Sequence, residues 1–346
     1  MSSRESRGLS LRAVSKSFGR GFKTVPVLRE LDLEICSGEL VTVMGASGGG
    51  KTTLIRIIAG LEQPDSGEIT LDGHTIQPGD VGYIFQKPVL YPYLTVKENI
   101  LFGVTLSRFT GEIDVDHYRS LLSILGLEGL EGRRPNELSG GQQQRVGIAR
   151  ALIRKPPLVL FDEPLASVDE FLSATIRDQI DQLHARLGFT GLFITHHLNE
   201  AFQVGQRVAI MVDGAIAQID SPPRLLENPK SLAVARLVGE PALNVWSLGV
   251  DGDAHQRVVA FRSASVHYGA RPHANSAQAR ISKLRPSAHG WLLDGTLEDE
   301  VNWLSSSGER AQVQAGERVL LFSPQAQRQE SFVFSVLPQH CWIFSQ

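Results

Sequence analysis

The run Gly45-Ala46-Ser47-Gly48-Gly49-Gly50-Lys51-Thr52 fits G-x-x-x-x-G-K-S/T. Glycines let the backbone take conformations closed to other residues, so successive N–H groups can turn inward toward phosphate oxygens. The apolar helix headed by Thr52 and Thr53 adds its positive N-terminal end. Lys51 supplies a mobile charge for β- and γ-phosphates, and the Thr52 hydroxyl can ligate Mg²⁺. The competing account is a flexible turn with an accidental lysine. It does not explain why a strand-like LVTVM (40–44) leads into the loop and a helical TTLIRIIAGL (52–61) leaves it, which is the context the chemistry demands. The loop is read as a holder of a nucleoside triphosphate, with residues Gly45 to Thr53 as its contacts.

A phosphate loop alone does not identify a reaction. Leu138-Ser139-Gly140-Gly141-Gln142 begins another helix, with a hydroxyl residue and two glycines whose N–H groups are free to meet an anion. By itself it could be an ordinary serine cap. It stands between the phosphate loop and LVLFDEP, where an apolar strand ends in two acids, Asp162 and Glu163, followed by a proline.

These motifs in this order resemble the ATP-binding cassette (ABC) family, whose signature is LSGGQ, and the resemblance covers residues 9 to about 240. It implies ATP and Mg²⁺ as cofactors and an ATPase coupled to transport. Asp162 matches the Walker B aspartate that holds Mg²⁺ through water, and Glu163 the catalytic carboxylate that orients the attacking water. Gln86, in YIFQKP, is similar to the Q-loop glutamine that reaches metal or water. His196, in FITHH, is similar to the switch histidine at the γ-phosphate; its neighbour is also a histidine, and the Thr-His order favours His196 over His197. Phe18, in VSKSFG, occupies the place of an aromatic that stacks on adenine. Ser139, Gly140, Gly141 and Gln142 are the signature contacts. The chain departs from the family at Ala166-Ser167-Val168-Asp169, where SxLD is usual, and at His197, where an aspartate is usual. The stretch from 68–73 to Gln86 is also short and lacks a common arginine. No phosphate, metal or water ligand is lost.

The elements that must position these residues follow from periodicity. LSLRAV (9–14) and VLRELDLEI (27–35) alternate like antiparallel strands, and LVTVM and LVLFDE (158–163) read as buried strands. EITLDG (68–73), GLFITHH (191–197) and RVAIMVDG (207–214) are further strands. LTVKENILFG, HYRSLLSILGL, GQQQRVGIARALI and SATIRDQIDQLHARLG (173–188) are helical, with a helical subdomain over about 87–157. Strands alternating with helices over short loops predict a parallel α/β core. After Pro241 short β-like runs replace this pattern: RVVAF, ARISKL, GWLLDG, ERVLLF, SFVFSV. The expected fold is therefore an α/β P-loop cassette over 1–240, with antiparallel β and helical subdomains. A small all-β domain, similar to an OB or TOBE module, is expected over 241–346.

Lys plus Arg number 34 and Asp plus Glu 37, a net charge of -3, which gives no electrostatic ground for a nucleic-acid partner. Cys36 and Cys341 match no metal spacing, as expected of a reduced cytosolic protein. No apolar run approaches the roughly 18–20 residues of a membrane span. The N-terminal MSSRESRGLSLRAV has no apolar leader core.

One phosphate loop and one LSGGQ per chain imply, by the resemblance, a homodimer that sandwiches ATP. The C-terminal β domain is similar to that of importers of maltose, glycerol phosphate, polyamine or ferric iron. The expectation is an importer subunit peripheral to the cytoplasmic face of the inner membrane. It would bind two permease subunits, act with a solute-binding protein indirectly, and move a sugar, polyamine, ferric iron or oxyanion. Residues 87–105, with Tyr91 and Tyr93, are the expected dock. The alternative is a soluble cassette ATPase acting on ribosome or DNA; an exporter cassette would leave the C-terminal domain unexplained.

Overall fold

Unbroken apolar runs become the inner strands of a sheet covered on both faces. In the computed structural model the first unit comprises β1 (Gly8–Phe18), β2 (Val25–Cys36), β3 (Leu40–Gly45), α1 (Lys51–Ile58), β4 (Ser66–Leu71), β5 (His74–Thr75), β6 (Val81–Ile84) and α2 (Val96–Thr105). It continues through α3 (Val115–Leu125), α4 (Gly140–Leu152), β7 (Leu158–Asp162), α5 (Glu170–Leu187), β8 (Thr190–Thr195), α6 (Leu198–Val204), β9 (Arg207–Val212) and β10 (Ala215–Asp220). The described residues are 8–19, 24–77, 79–105, 114–166, 170–239, 242–248, 257–271, 273–287, 290–324 and 330–345.

Six strands order as β10-β9-β3-β8-β7-β6, parallel throughout except for the β10 hairpin edge. Side-chain alternation sorts their residues onto two faces. Leu40, Val159, Phe161 and Phe193 pack with α2–α5. Val41, Val43, Leu158, Leu160, Leu192 and Ile194 pack with α1 and with β1, β2 and β4. Burial on both faces explains why these strands read as continuous hydrophobic runs. The flanking antiparallel sheet, β2-β1-β4-β5, extends further than its sequence pattern. A register shift between Leu11 and Val14, with Ala13 at φ 48°, breaks the alternation, yet pairing with β2 resumes as far as Phe18.

The chain divides into compact units at Met1–Pro222 and Pro223–Gln346, earlier than the Pro241 boundary expected from sequence. The second unit therefore takes α8 (Leu232–Leu237) and most of α7 (Pro222–Glu227), and the Trp342 indole donates to the Glu227 carbonyl at 2.9 Å. Its strands are β11 (Leu243–Ser247), β12 (Arg257–Arg262), β13 (Val266–Tyr268), β14 (Asn275–Ser287), β15 (Gly290–Leu297), β16 (Val301–Leu304), β17 (Arg310–Val313), β18 (Arg318–Ser323), β19 (Ser331–Val336) and β20 (Cys341–Ser345). They form sheets ordered β11-β12-β20, β13-β19-β14-β15-β18 and β16-β17, the expected all-β texture. Trp246, Phe261, Trp303 and Phe334 fill the centre, with Phe261 stacked on Trp303 at 5.0 Å. Both cysteines are free thiols. Among the described residues no helix is long and apolar enough to cross a membrane.

One ion pair ties the turn before β3 to the start of β9. Arg207 grips the Glu39 carboxylate with Nε at 2.5 Å and Nη2 at 2.7 Å. Burial pushes the Glu39 carboxyl up, but the guanidinium and the Cys36 N–H outweigh it and hold the group below its ordinary 4.5. A carboxyl depressed by folding contributes stability that is full above the unfolded value and is lost as pH falls through the lower folded one. Arg207→Met should cost about 1–3 kcal/mol near neutrality. It leaves burial opposed only by Cys36, whose N–H donates to Glu39 at 3.0 Å, so the acid dependence from this residue should shrink, as urea unfolding across acid pH will show.

Candidate nucleotide site

β3 ends at Gly45 and the chain turns through Ala46–Gly50 into α1. Gly50 caps the helix at φ 96°, and a Cβ there would lie 2.9 Å from the Val27 carbonyl, so shape and backbone conformation both demand glycine. The first helical hydrogen bond runs from Leu54 N–H to Gly50. The N–H groups of Lys51, Thr52 and Thr53 precede it and are not used within the helix. No acidic residue in the first turn neutralises this positive end. Ala46, Ser47, Gly48 and Thr52 are exposed, and Gly49 and Thr53 half-buried. Lys51 is only 4% exposed, and its Nζ donates to the carbonyls of Gly45 and Ala46, each at 2.9 Å. Burial lowers its pKa, while the carboxylates of Glu163 and Asp162 work the other way.

Those carboxylates arrive by register. Parallel pairing sets Met44 beside Thr195 and Asp162 beside Ile194, so the ends of β3, β8 and β7 lie along one edge. Burial raises the Asp162 pKa; the Tyr83 phenol, which donates to Oδ2 at 2.8 Å, opposes this. Glu163 sits at φ 44°, a left-handed conformation that costs a non-glycine residue about 1 kcal/mol or more. Its N–H bonds the Ile194 carbonyl at 3.0 Å, and its Oε2 lies 3.0 Å from His196 Nδ1. The residues on either side of that histidine are tied to each other and to α6: the Thr195 hydroxyl donates to Glu200 at 2.5 Å and accepts from the His197 N–H at 3.0 Å. The rings of His196 and His197 are 4.0 Å apart, but the carboxylate contact is made by His196.

The structure thus brings Lys51, Asp162, Glu163 and His196 together. Gln86 is exposed, two residues past the end of β6, the strand that pairs with β7. Phe18 is 43% exposed with Lys16 Nζ 5.2 Å from its ring centre, so it is a surface aromatic rather than a core one. Ser139 and Gln142 form a reciprocal cap on α4: Gln142 N–H bonds Ser139 Oγ at 3.3 Å, and Ser139 N–H bonds Gln142 Oε1 at 2.9 Å. Ser139 and Gly140 are exposed. Among the described residues, no hydrogen bond or ion pair joins this run to the phosphate loop. Ala166 is exposed; Ser167, Val168 and Asp169 lie outside the described residues. Tyr83 is the member sequence reasoning missed, although it stands within the YIFQ run that located Gln86.

N–H groups left over at the start of α1, a buried cation and two strand-end carboxylates can hold a triphosphate and polarise a water beside it. Among the described residues, no three His, Cys, Asp or Glu side chains form a self-sufficient metal cage. A hydroxyl and a carboxylate, both hard oxygen donors, fit Mg²⁺, which is usually held by one or two carboxylates together with phosphate oxygens.

Comparison with known proteins agrees with this chemistry. Residues 28–166 match the family model described as ABC transporter. The sn-glycerol-3-phosphate import ATP-binding protein UgpC of Yersinia enterocolitica is 36% identical over 300 residues, covering 82% of each chain. The Fe(3+) ions import ATP-binding protein FbpC of Vibrio cholerae is 41% identical over 232 residues, 66% of each. A solved dimeric ATP-binding cassette in a post-hydrolysis state bound to ADP and Pi is 31% identical, with a TM-score of 0.55 over 62% of this chain and 98% of that one. A cbiO1 cassette from Clostridium perfringens has the same fold, with a TM-score of 0.59 over 65% and 92%.

Gly141 offers a test of how the second helix start is held. A Cβ there would come within 2.2 Å of Leu172 Cδ2 on α5. Gly141→Ala should destabilise the protein by about 1–3 kcal/mol through overpacking. Adding Leu172→Ala should restore part of the loss in denaturant melts.

Proposed function

The chain belongs to the ABC transporter family as an importer-type ATP-binding subunit, and from that premise we propose how it works. Two copies sandwich two ATP molecules, each nucleotide lying between the 45–53 loop of one protomer and the Ser139–Gln142 helix start of its partner. What supports this is the convergence of Lys51, Asp162, Glu163 and His196 in a chain whose α4 start makes no bond to them among the described residues. A second copy supplies the missing contact by two-fold symmetry.

The loop N–H groups and Lys51 bind the phosphates, and Phe18 offers an exposed face to the adenine. Thr52, Asp162 and Gln86 would hold Mg²⁺, which would supply neutralisation of the phosphate charge. Glu163 takes a proton from the attacking water. His196 uses Nδ1 on Glu163 and has Nε2 left for a γ-phosphate oxygen; donation from both nitrogens requires the doubly protonated ring. Hydrolysis removes the shared phosphate, the protomers part, and a permease pair is driven between its states.

The permease dock is the stretch beyond β6, where Phe85, Val89, Tyr91 and Tyr93 are exposed at 38%, 61%, 45% and 86%. Several exposed apolar side chains within one short stretch suit a partner surface better than solvent. The protein works at the cytoplasmic face of the membrane, alongside a permease that a solute-binding protein serves. The named relatives import sn-glycerol-3-phosphate and Fe(3+), chemically unlike cargoes, at comparable identity to this chain. Solute choice therefore belongs to the membrane and binding-protein partners.

Glu163→Gln should lower steady-state ATP turnover by about 100-fold or more and hold an ATP-bound dimer visible by light scattering. A variant that stays monomeric with ATP, with its permease supplied, would sink the sandwich. Pull-down of Glu163→Gln from native membranes should bring a polytopic permease. Recovery of ribosomes or DNA instead would favour the soluble alternative.

A further inference from the structure

Tyr83 touches the metal-holding carboxylate and plays no part in the scheme above. Its phenol donates to Asp162 Oδ2 at 2.8 Å across 79 residues of sequence. Among the described residues, Asp162 Oδ1 accepts no hydrogen bond. Strand pairing fixes the two backbones, with Tyr83 beside Leu160 and Ile84 beside Phe161. What the pairing does not fix is rotation of the Asp162 side chain, and the phenol is the group that pins it.

The ring itself does not require a hydroxyl. It lines an apolar cleft of about 670 Å³ together with Ile57, Leu61, Ile69, Ile76 and Phe85, and its centre is 4.3 Å from the Phe85 ring. A phenylalanine would satisfy those neighbours equally well. The hydroxyl is the part whose presence only the carboxylate explains. Burial disfavours the ionised carboxylate, and a donated O–H offsets that cost while presenting the remaining oxygen in one direction. Hydrogen-bonding partners of this kind tune metal affinity when the carboxylate they orient serves the metal.

We propose that Tyr83 is a positioning residue for Mg²⁺: it donates to Asp162 Oδ2 and so orients the carboxylate toward the metal bound with ATP. This rests on the ATP and Mg²⁺ assignment above.

The test is Tyr83→Phe, with Mn²⁺ as the probe and free Mn²⁺ read by electron paramagnetic resonance in the presence of ATP. Mn²⁺ affinity should fall about tenfold, while ATP affinity in EDTA stays within about twofold of the wild type, since the phenol does not touch the phosphate loop. Tyr83→Met, which keeps bulk and also lacks a donor, should behave alike if the phenylalanine variant is poorly soluble. Equal Mn²⁺ affinity in variant and wild type would overturn the proposal. So would equal losses of ATP affinity with and without metal, because that pattern marks a merely structural residue. A wild type indifferent to Mn²⁺ would overturn the metal assignment itself, and the proposal with it; an Mn²⁺-responsive wild type beside a variant of equal Mn²⁺ affinity overturns Tyr83 alone.

Discussion

Parallel pairing of β3, β8 and β7 governs where Lys51, Asp162, Glu163 and His196 stand in the first unit. A parallel sheet delivers all its strand ends to one edge, and here those ends carry the phosphate loop, His196 and the Asp162-Glu163 pair. Slipping one strand by a single residue would send its alternating side chains to the opposite faces and detach its terminal group from the other two. The register is held because both faces are buried: Val159 and Phe161 belong to one core, Leu158 and Leu160 to the other. Packing and chemistry are thus specified by the same residues, which leaves little freedom to alter one without the other.

Electrostatics at that edge is kept unbalanced. Lys51 faces two carboxylates and is desolvated, held among the described residues by backbone carbonyls rather than by an ion pair. An ammonium without a committed counter-ion is ready for phosphate. Glu163 shows the same economy in its backbone. A left-handed φ is unfavourable for glutamate, but it turns the side chain from the line of β7 to the His196 ring, and the bond to Ile194 holds it there.

The loop, the Ser139 helix start, the acid pair and His196 were legible in sequence because their chemistry fixes residue types at short spacing. The buried strands were legible because two-sided burial leaves an apolar run. Tyr83 was not, since its partner is brought by β6–β7 pairing and no local pattern announces it. Nor was the conformation of Glu163, because glutamate carries no turn signal. β1 was read short for a related reason: the bulge at Ala13 interrupts the period that betrays a strand. The unit boundary fell at Pro222 rather than Pro241 because tertiary bonds such as Trp342 to Glu227 recruit α7 to the C-terminal strands, and these are invisible to composition.

The cap on α4 bears on how ATP could join two copies. In the single chain the Ser139 hydroxyl and Gln142 amide are spent on each other's backbone N–H groups. A γ-phosphate arriving from a partner would find the exposed Gly140 amide and the helix dipole at once, but the Ser139 hydroxyl only if it can serve both. A hydroxyl can: Oγ accepts from Gln142 N–H while its own proton remains to be donated. The capping bond, about 1 kcal/mol of helix stability, need not break for a charge-assisted bond to phosphate to form. Aspartate would cap equally well, yet its ionised carboxylate only accepts and has no proton to offer the anion. Serine at 139 therefore joins donation to capping, which excludes aspartate where capping alone would not.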